Sequence, residues 1–218
     1  MSAPRTLYDK IIDAHRIMTF EGANSPGERL LLYIDRTVLN EYTSPQAFTG
    51  LRHAARKPWC PEAALGVVDH VNSTHPDPGA GRLDDGARRQ IAYFLENGRD
   101  FGVEILDVYD PRQGIEHVVM PELGLVLPGM VIAAGDSHST TYGAFGAVGF
   151  GIGTSDIEHM LATQTLIYHR LKNMRITVHG RLAVGITAKD LIMEVIRQIG
   201  AAGASGHAVE FAGEAISA

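Results

Sequence analysis

The segment Gly135-Asp-Ser-His-Ser-Thr-Thr141 places three chemically different side chains next to one another. Asp136 supplies a hydrogen-bond acceptor, Ser137 a hydroxyl that can bind a carboxylate, and His138 an imidazole that can carry a proton. The segment directly follows the apolar run Met130-Val-Ile-Ala-Ala134, which predicts a buried strand. Ligands of open α/β sheets bind outside the carboxyl ends of the strands, so this segment is the first candidate for an active site.

Two further histidines have comparable settings. Asp69 and His70 end the apolar run Ala63-Ala-Leu-Gly-Val-Val68, and His117 precedes the strand that leads to Asp136. Histidine titrates near neutral pH, and a neighbouring carboxylate orients its ring and raises its basicity, so such pairs suit proton transfer. A single pair is more often structural. Because strand ends in one sheet converge on a shared crevice, we expect these groups to form one acid–base site.

Strand patterns and helix patterns alternate along the first 170 residues, which indicates a parallel α/β sheet. The predicted strands are residues 30–34, 63–68, 103–108 and 130–134, and the predicted helices are residues 6–16, 45–56, 85–97 and 155–166.

A second unit begins near Asn173. It has a strand pattern at residues 174–180, a capped helix pattern at 187–197 and a strand pattern at 208–211, which are too few elements to close a sheet. We therefore expect a first domain over residues 1–170 and an incomplete start of a second α/β domain over residues 171–218.

Composition excludes several classes of protein. The formal net charge of −6 argues against a nucleic-acid surface, and no apolar run reaches the roughly 20 residues that span a bilayer. The amino terminus lacks an apolar signal segment, and the single cysteine, Cys60, suits a reducing compartment, so we expect a cytoplasmic protein.

Other catalytic signatures are missing from the sequence. The glycines of residues 143–153 do not have the order of a dinucleotide-binding fingerprint and predict close backbone packing instead, and no Gly-x-Ser-x-Gly elbow is present. A metal site built from His70, His117, His138 and the aspartates is chemically possible but lacks the close histidine spacing that would indicate one, so we assign no metal ligand.

Several longer motifs resemble those of the aconitase superfamily, and within it the branch of isopropylmalate dehydratases. The motifs are Leu32-Tyr-Ile-Asp-Arg36, Thr43-Ser-Pro-Gln-Ala-Phe48, Asp69-His70, Gly114-Ile-Glu-His117, Pro128-Gly-Met130, Gly135-Asp-Ser-His-Ser-Thr140, Gly151-Ile-Gly-Thr-Ser155 and Ala162-Thr-Gln-Thr165. The resemblance implies a three-layer α/β/α first domain with a mostly parallel sheet. It also implies a hydro-lyase that interconverts 2- and 3-isopropylmalate in leucine biosynthesis.

The resemblance also implies roles for individual residues. Gln46 and Ser137 would hold a substrate carboxylate, and His70, oriented by Asp69, would protonate the departing hydroxyl. The remaining catalytic residues would form two pairs, Asp136 with His117 and His138 with Glu210.

The same resemblance implies groups that these 218 residues do not supply. Enzymes of the family use a four-iron, four-sulfur cluster held by three cysteines, and Cys60 is not at a matching position. We therefore expect no cluster on this chain alone. The expected partners are the remainder of the large subunit, a small subunit that carries a swivelling domain, and a hydroxy-dicarboxylate substrate. We expect no activity from this chain alone.

Three other functions remain open at the level of sequence. A related hydro-lyase could act on homoaconitate, citrate or a methylated malate. The chain could instead be a non-catalytic remnant or a docking subunit. The third possibility is a metallohydrolase with histidine ligands.

Overall fold

The computed structural model describes residues 4–22, 27–77 and 81–217. Its helices are α1 Leu7–His15, α2 Pro45–His53, α3 Asp85–Phe101, α4 Glu116–Glu122, α5 Thr154–Thr163, α6 Ala188–Ile199 and α7 Glu214–Ser217, with 3₁₀ helices at Pro61–Ala63 and Ser139–Phe145. Its strands are β1 Arg16–Glu21, β2 Arg29–Tyr33, β3 Arg36–Asn40, β4 Ala64–Val67, β5 Glu104–Leu106, β6 Val131–Ala134, β7 Val148–Gly151, β8 Thr165–His169, β9 Lys172–Thr177 and β10 His207–Ala212. Within these ranges, no helix has both the length and the apolar character needed to cross a bilayer.

A five-stranded parallel sheet, in the order β5-β4-β3-β6-β7, forms the centre of the fold. Alternate side chains along its strands point to opposite faces. Val38 and Ile132 pack on one face against α4 and the second 3₁₀ helix. Leu39 and Ala64 pack on the other face against α2, α3 and α5. The predicted three-layer α/β/α arrangement with a mostly parallel sheet is confirmed.

The strand predicted at residues 30–34 exists as β2 but belongs to a different sheet. It pairs antiparallel with β1 and with β8. The chain then crosses to the parallel sheet at Asp35, whose backbone N–H donates to the Val131 carbonyl and whose carboxylate accepts the Val131 N–H. Strand β3 starts at the next residue, Arg36. The sequence pattern does not separate β2 from β3, so the central strand β3 was not predicted.

The helix predicted over residues 155–166 ends earlier than expected. Gln164 adopts a left-handed conformation with φ +58°, and its side-chain amide donates to the Ile34 carbonyl at 2.8 Å. The left-handed residue stops α5 at Thr163. Residues from Thr165 onward therefore pair with β2 as strand β8.

A buried arginine joins α1 to the antiparallel sheet. Arg170 donates to Glu28 at 2.7 Å and to Asp9 at 3.0 Å, and it also pairs with Asp13. Glu28 is completely buried and also accepts a hydrogen bond from Thr19. Because each buried charge has opposite charges and donors around it, the loss of hydration is offset and α1 is held against β2 and β8.

The last part of the chain forms a small unit around a two-stranded parallel sheet of β9 and β10. Helix α6 connects these strands and contains no fully buried residue. Its capping box, in which the side chains of Thr187 and Asp190 bond each other's backbone N–H, matches the predicted helix start. The division into domains at residues 170 and 171 stays a prediction.

Two glycines allow the backbone around Asp136 to pack closely. A Cβ atom on Gly135 would lie 2.3 Å from the Thr43 hydroxyl oxygen. One on Gly151 would lie 2.5 Å from the Asp136 carbonyl oxygen. Both distances are too short for a real contact, so only glycine fits there.

We expect Gly151→Ala to lower the free energy of unfolding by about 1–3 kcal/mol, because the new methyl group forces the backbone at Asp136 to move. Denaturant unfolding measures this change. Gly143→Ala is the matched control, since a Cβ atom there meets nothing within 4 Å. Equal effects of the two substitutions would contradict the packing argument.

Candidate active site

The carboxyl ends of three neighbouring parallel strands carry the predicted acid–base groups. Strand β3 leads into Glu41, β4 into Asp69 and His70, and β6 into Asp136. Because β3 lies between β4 and β6, these three ends meet at one edge of the sheet.

His70 lies between two carboxylates. Its Nδ1 donates to Asp69 at 2.6 Å and its Nε2 donates to Asp136 at 3.3 Å, since a carboxylate can only accept. The hydrogen bond to Asp69 is the main cause that raises the pKa of His70 from 6.5 to about 9, against the opposing effect of burial. The ring is therefore an imidazolium at neutral pH, and the proton on Nε2 is the more weakly held of the two hydrogen-bonded protons.

Asp136 also binds a second imidazole. His117 donates from Nε2 to Asp136 at 2.5 Å, and the Tyr142 hydroxyl lies 2.9 Å from Nδ1 of the same ring. Burial opposes ionisation of Asp136, but hydrogen bonds from His117, the His138 backbone N–H and His70 outweigh it and hold the pKa of Asp136 well below its usual range. One carboxylate thus links two histidines from different elements.

Glu41 fixes the segment that carries His70. Its side chain is completely buried and accepts the backbone N–H groups of Asp69 at 3.2 Å, His70 at 2.8 Å and Val71 at 2.6 Å. Three N–H donors around one carboxylate compensate for its burial. Glu41 therefore determines where the imidazole of His70 lies.

Asn40 connects the turn before α2 to α4. Its side-chain oxygen accepts the backbone N–H groups of Tyr42 at 3.1 Å and Thr43 at 2.9 Å. Its amide donates to Glu116 at 3.3 Å, and the Glu116 backbone N–H donates to Asp69 at 2.7 Å. The first residue of α4 is therefore tied to the ends of both β3 and β4.

Two of these groups, His70 and Asp136, line an open cleft of about 660 Å³. The Tyr42 ring stacks on His70 with centroids 6.3 Å apart, and the Ser137 hydroxyl lies 3.0 Å from Nδ1 of His138. The described residues that line the cleft include no lysine or arginine: they are Tyr42, Thr43, His70, Gly135, Asp136, Ser137, His138 and Ile152.

Apart from Glu210, the predicted site residues fall into three groups. Direct hydrogen bonds join Asp69, His70, His117 and Asp136, while Ser137 and His138 lie on the same cleft. Gln46 is exposed in the first turn of α2 and is not one of the residues that line the cleft. The catalytic and binding roles of all these residues stay predictions.

The structure does not show the predicted pair of His138 and Glu210 among the described residues, and the pair stays a prediction. Glu210 lies on β10 and accepts the backbone N–H of Leu7 at 3.0 Å. His138 is an exposed residue beside Asp136 and Ser137. No hydrogen bond or ion pair joins the two within the described residues, because the pairing of β10 with β9 directs Glu210 toward the start of α1.

Sequence reasoning missed several residues of the site. Asn40 ends β3 and Glu41 follows it. Because the sequence did not separate β3 from β2, the position of these two residues at a strand end was not predicted. The sequence also left His15 without a partner, whereas its Nε2 donates to Asp35 at 2.7 Å. That second pair lies where the chain passes between the two sheets.

The residues present do not fit an iron–sulfur cluster. The sequence contains one cysteine, and a cluster takes three or four thiolates. Cys60 precedes the 3₁₀ helix that leads into β4, so it lies at the amino end of that strand, opposite the edge that carries His70. The ligand atoms of Glu116, His117 and Asp136 lie within 4.8 Å of one another, but the histidine is already bonded to the aspartate.

Comparison with known proteins places these residues in a family. A model of the aconitase family (aconitate hydratase) matches residues 9–218. The chain is 60% identical over 212 residues to large subunit 1 of 3-isopropylmalate dehydratase from Mannheimia succiniciproducens, which covers 97% of this chain and 44% of the relative. It is 57% identical over 218 residues to large subunit 2 from Salmonella choleraesuis and from Salmonella typhimurium, which covers 100% of this chain and 45% of each relative. The chain thus spans less than half the length of the curated relatives it matches.

Asp69→Asn removes the negative charge that His70 binds through Nδ1. We expect the pKa of His70 to fall from about 9 toward 6.5, as followed by nuclear magnetic resonance of the ring carbons. Asp85→Asn, at the exposed start of α3, is the matched control. A titration of His70 that does not change in Asp69→Asn would show that another group determines its basicity.

The same substitution should change how stability depends on pH. A raised folded-state pKa means that His70 stabilises the fold fully below about pH 6.5 and that this contribution is lost as pH rises through about 9. We expect Asp69→Asn to reduce this pH-dependent contribution to the free energy of unfolding by on the order of 1 kcal/mol. The effect is small because solvent screens the partly exposed ring. Denaturant unfolding at pH 6 and pH 9.5 measures the difference.

Proposed function

Because the chain belongs to the aconitase family, we propose that it forms the amino-terminal part of the large subunit of a hydro-lyase that interconverts 2- and 3-isopropylmalate. The observation that carries this proposal is the chain of hydrogen bonds from Asp69 through His70 and Asp136 to His117. Such a chain can deliver and take up protons at the edge of a cleft that is large enough for a small dicarboxylate.

His70 is the proton donor in this proposal. Elimination of water breaks a carbon–oxygen bond, and the leaving oxygen must gain a proton to depart as water. His70 carries a proton on Nε2 that is bonded to Asp136 over a long 3.3 Å, while Asp69 holds the opposite side of the ring. A substrate hydroxyl can replace Asp136 at Nε2 without breaking the shorter bond, and rehydration reverses the transfer.

Binding of the substrate carboxylates needs more groups than this chain provides at the cleft. Ser137 and His138 offer donors on one wall, and Gln46 is assigned to the same task by its place in the family motif. The absence of lysine and arginine from the described lining residues leaves a dianion largely uncompensated. We propose that the remainder of the large subunit and a small subunit with a swivelling domain supply the missing positive charge and the base for the carbon-bound proton.

The family's four-iron, four-sulfur cluster belongs to the same set of missing groups. One cysteine cannot hold it, so in this proposal the cluster ligands lie outside these 218 residues, and the chain is inactive alone.

A chimaera tests this proposal with a complete enzyme. Residues 1–218 replace the aligned 218 residues of the Salmonella typhimurium relative, which is then assembled with its small subunit and its cluster. We expect turnover of 2-isopropylmalate, and a loss in kcat of about 10²–10⁴-fold in His70→Gln. Glu122→Gln, at an exposed position near the end of α4, is the matched control and should keep full activity.

Three outcomes would contradict the proposal in different ways. A folded and cluster-loaded chimaera that prefers citrate or homoaconitate would give the chain a different substrate. A chimaera that turns over none of these acids would contradict the hydro-lyase assignment. Turnover by the 218-residue chain without iron, sulfide or a partner would contradict the proposal that the chain is inactive alone.

A further inference from the structure

Glu116 is a buried acid beneath the two histidine–carboxylate pairs, and the mechanism above does not use it. It is 1% exposed at the start of α4. Its Oε2 accepts a hydrogen bond from Asn40 at 3.3 Å. Its Oε1 is fully buried and has no hydrogen-bond partner within the described residues, and Nε2 of His117 lies 3.6 Å from it.

The titratable groups that face Glu116 come from four elements. Asp69 and His70 follow β4, Asp136 follows β6, His117 is the next residue of α4, and Tyr142 belongs to the 3₁₀ helix Ser139–Phe145.

Two of these groups are carboxylates, and the positive charge of His70 is already shared between them. A third negative charge at this depth would have little compensation. Burial first, and the charge of Asp69 second, raise the pKa of Glu116 to about 8.

We propose that Glu116 is a positioning residue that stays protonated at neutral pH and acts through His70. This inference rests on the proposed function, because it concerns the same proton donor. Ionised Glu116 would add a negative charge beside Asp69 and Asp136, so that His70 would hold its proton more tightly. The same charge would repel a dicarboxylate from the cleft. Neutral Glu116 avoids both effects.

Glu116→Gln separates the charge of this residue from its structural contacts. Glutamine keeps the shape and an oxygen that can accept the Asn40 amide, and the backbone N–H still donates to Asp69. What it removes is the ability to ionise. Glu122→Gln, on the exposed part of the same helix, is the matched control.

The first experiment titrates His70 in the isolated chain by nuclear magnetic resonance of labelled histidine rings. In the wild type, we expect a second inflection near pH 8, where Glu116 ionises, and a His70 midpoint about 1 unit higher than in Glu116→Gln. Glu122→Gln should titrate like the wild type. Identical His70 curves in the wild type and Glu116→Gln would overturn the proposal.

A second measurement does not depend on the variant. In wild-type chain with labelled glutamate carboxyl carbons, one glutamate should titrate near pH 8. If every glutamate titrates below pH 6, Glu116 is ionised at neutral pH and the proposal is wrong. This readout decides the question even if Glu116→Gln does not fold.

The chimaera separates this inference from the proposed function. With Glu116 intact, the fall of kcat/KM at alkaline pH should combine two ionisations, of Glu116 near pH 8 and of His70 near pH 9, and in Glu116→Gln it should follow the single ionisation of His70 with a shallower slope. Identical alkaline limbs would overturn the role of Glu116 while leaving the hydro-lyase assignment intact. An inactive chimaera in which one glutamate still titrates near pH 8 would overturn the hydro-lyase assignment and leave the protonated state of Glu116 intact.

Discussion

The shared carboxylate of Asp136 is the interaction on which the site depends. It accepts hydrogen bonds from His70 and from His117, which reach it from different elements. His70 reaches this acceptor because β4, β3 and β6 are adjacent and parallel, so that their carboxyl ends lie side by side, and His117 reaches it from α4. The close packing of Gly151 against the Asp136 backbone keeps the carboxylate at that point. Core packing and site chemistry are thus linked through one residue.

Buried carboxyl groups support this arrangement in two different ways. Glu41 accepts hydrogen bonds from three backbone N–H groups, which hold the His70 segment in place. Glu116 has one amide donor and two carboxylates close by, so burial favours its neutral form. The two glutamates are about equally buried, and their different surroundings give them different tasks.

The sequence predicted most helices and the strands β4, β5 and β6 close to their observed positions, because continuous apolar runs and helical periodicity are local signals. It did not separate β3 from β2. The change of sheet occurs at Asp35, where hydrogen bonds to Val131 compensate a polar residue within a buried stretch. That partner is almost a hundred residues away, so local pattern could not show it. The same is true of Gln164, which ends α5 by bonding to Ile34.

The sequence by itself determined the layered α/β fold, the family motifs, and the acids and histidines that end successive strands. Those properties follow from the order of residue types along the chain. Only the tertiary structure decided which histidine meets which carboxylate: it joined His70 to both Asp69 and Asp136, and it placed Glu210 against Leu7 rather than His138. It also brought Glu41 and Glu116 under the cleft. These outcomes depend on strand order and register, which arise from contacts between residues far apart in sequence.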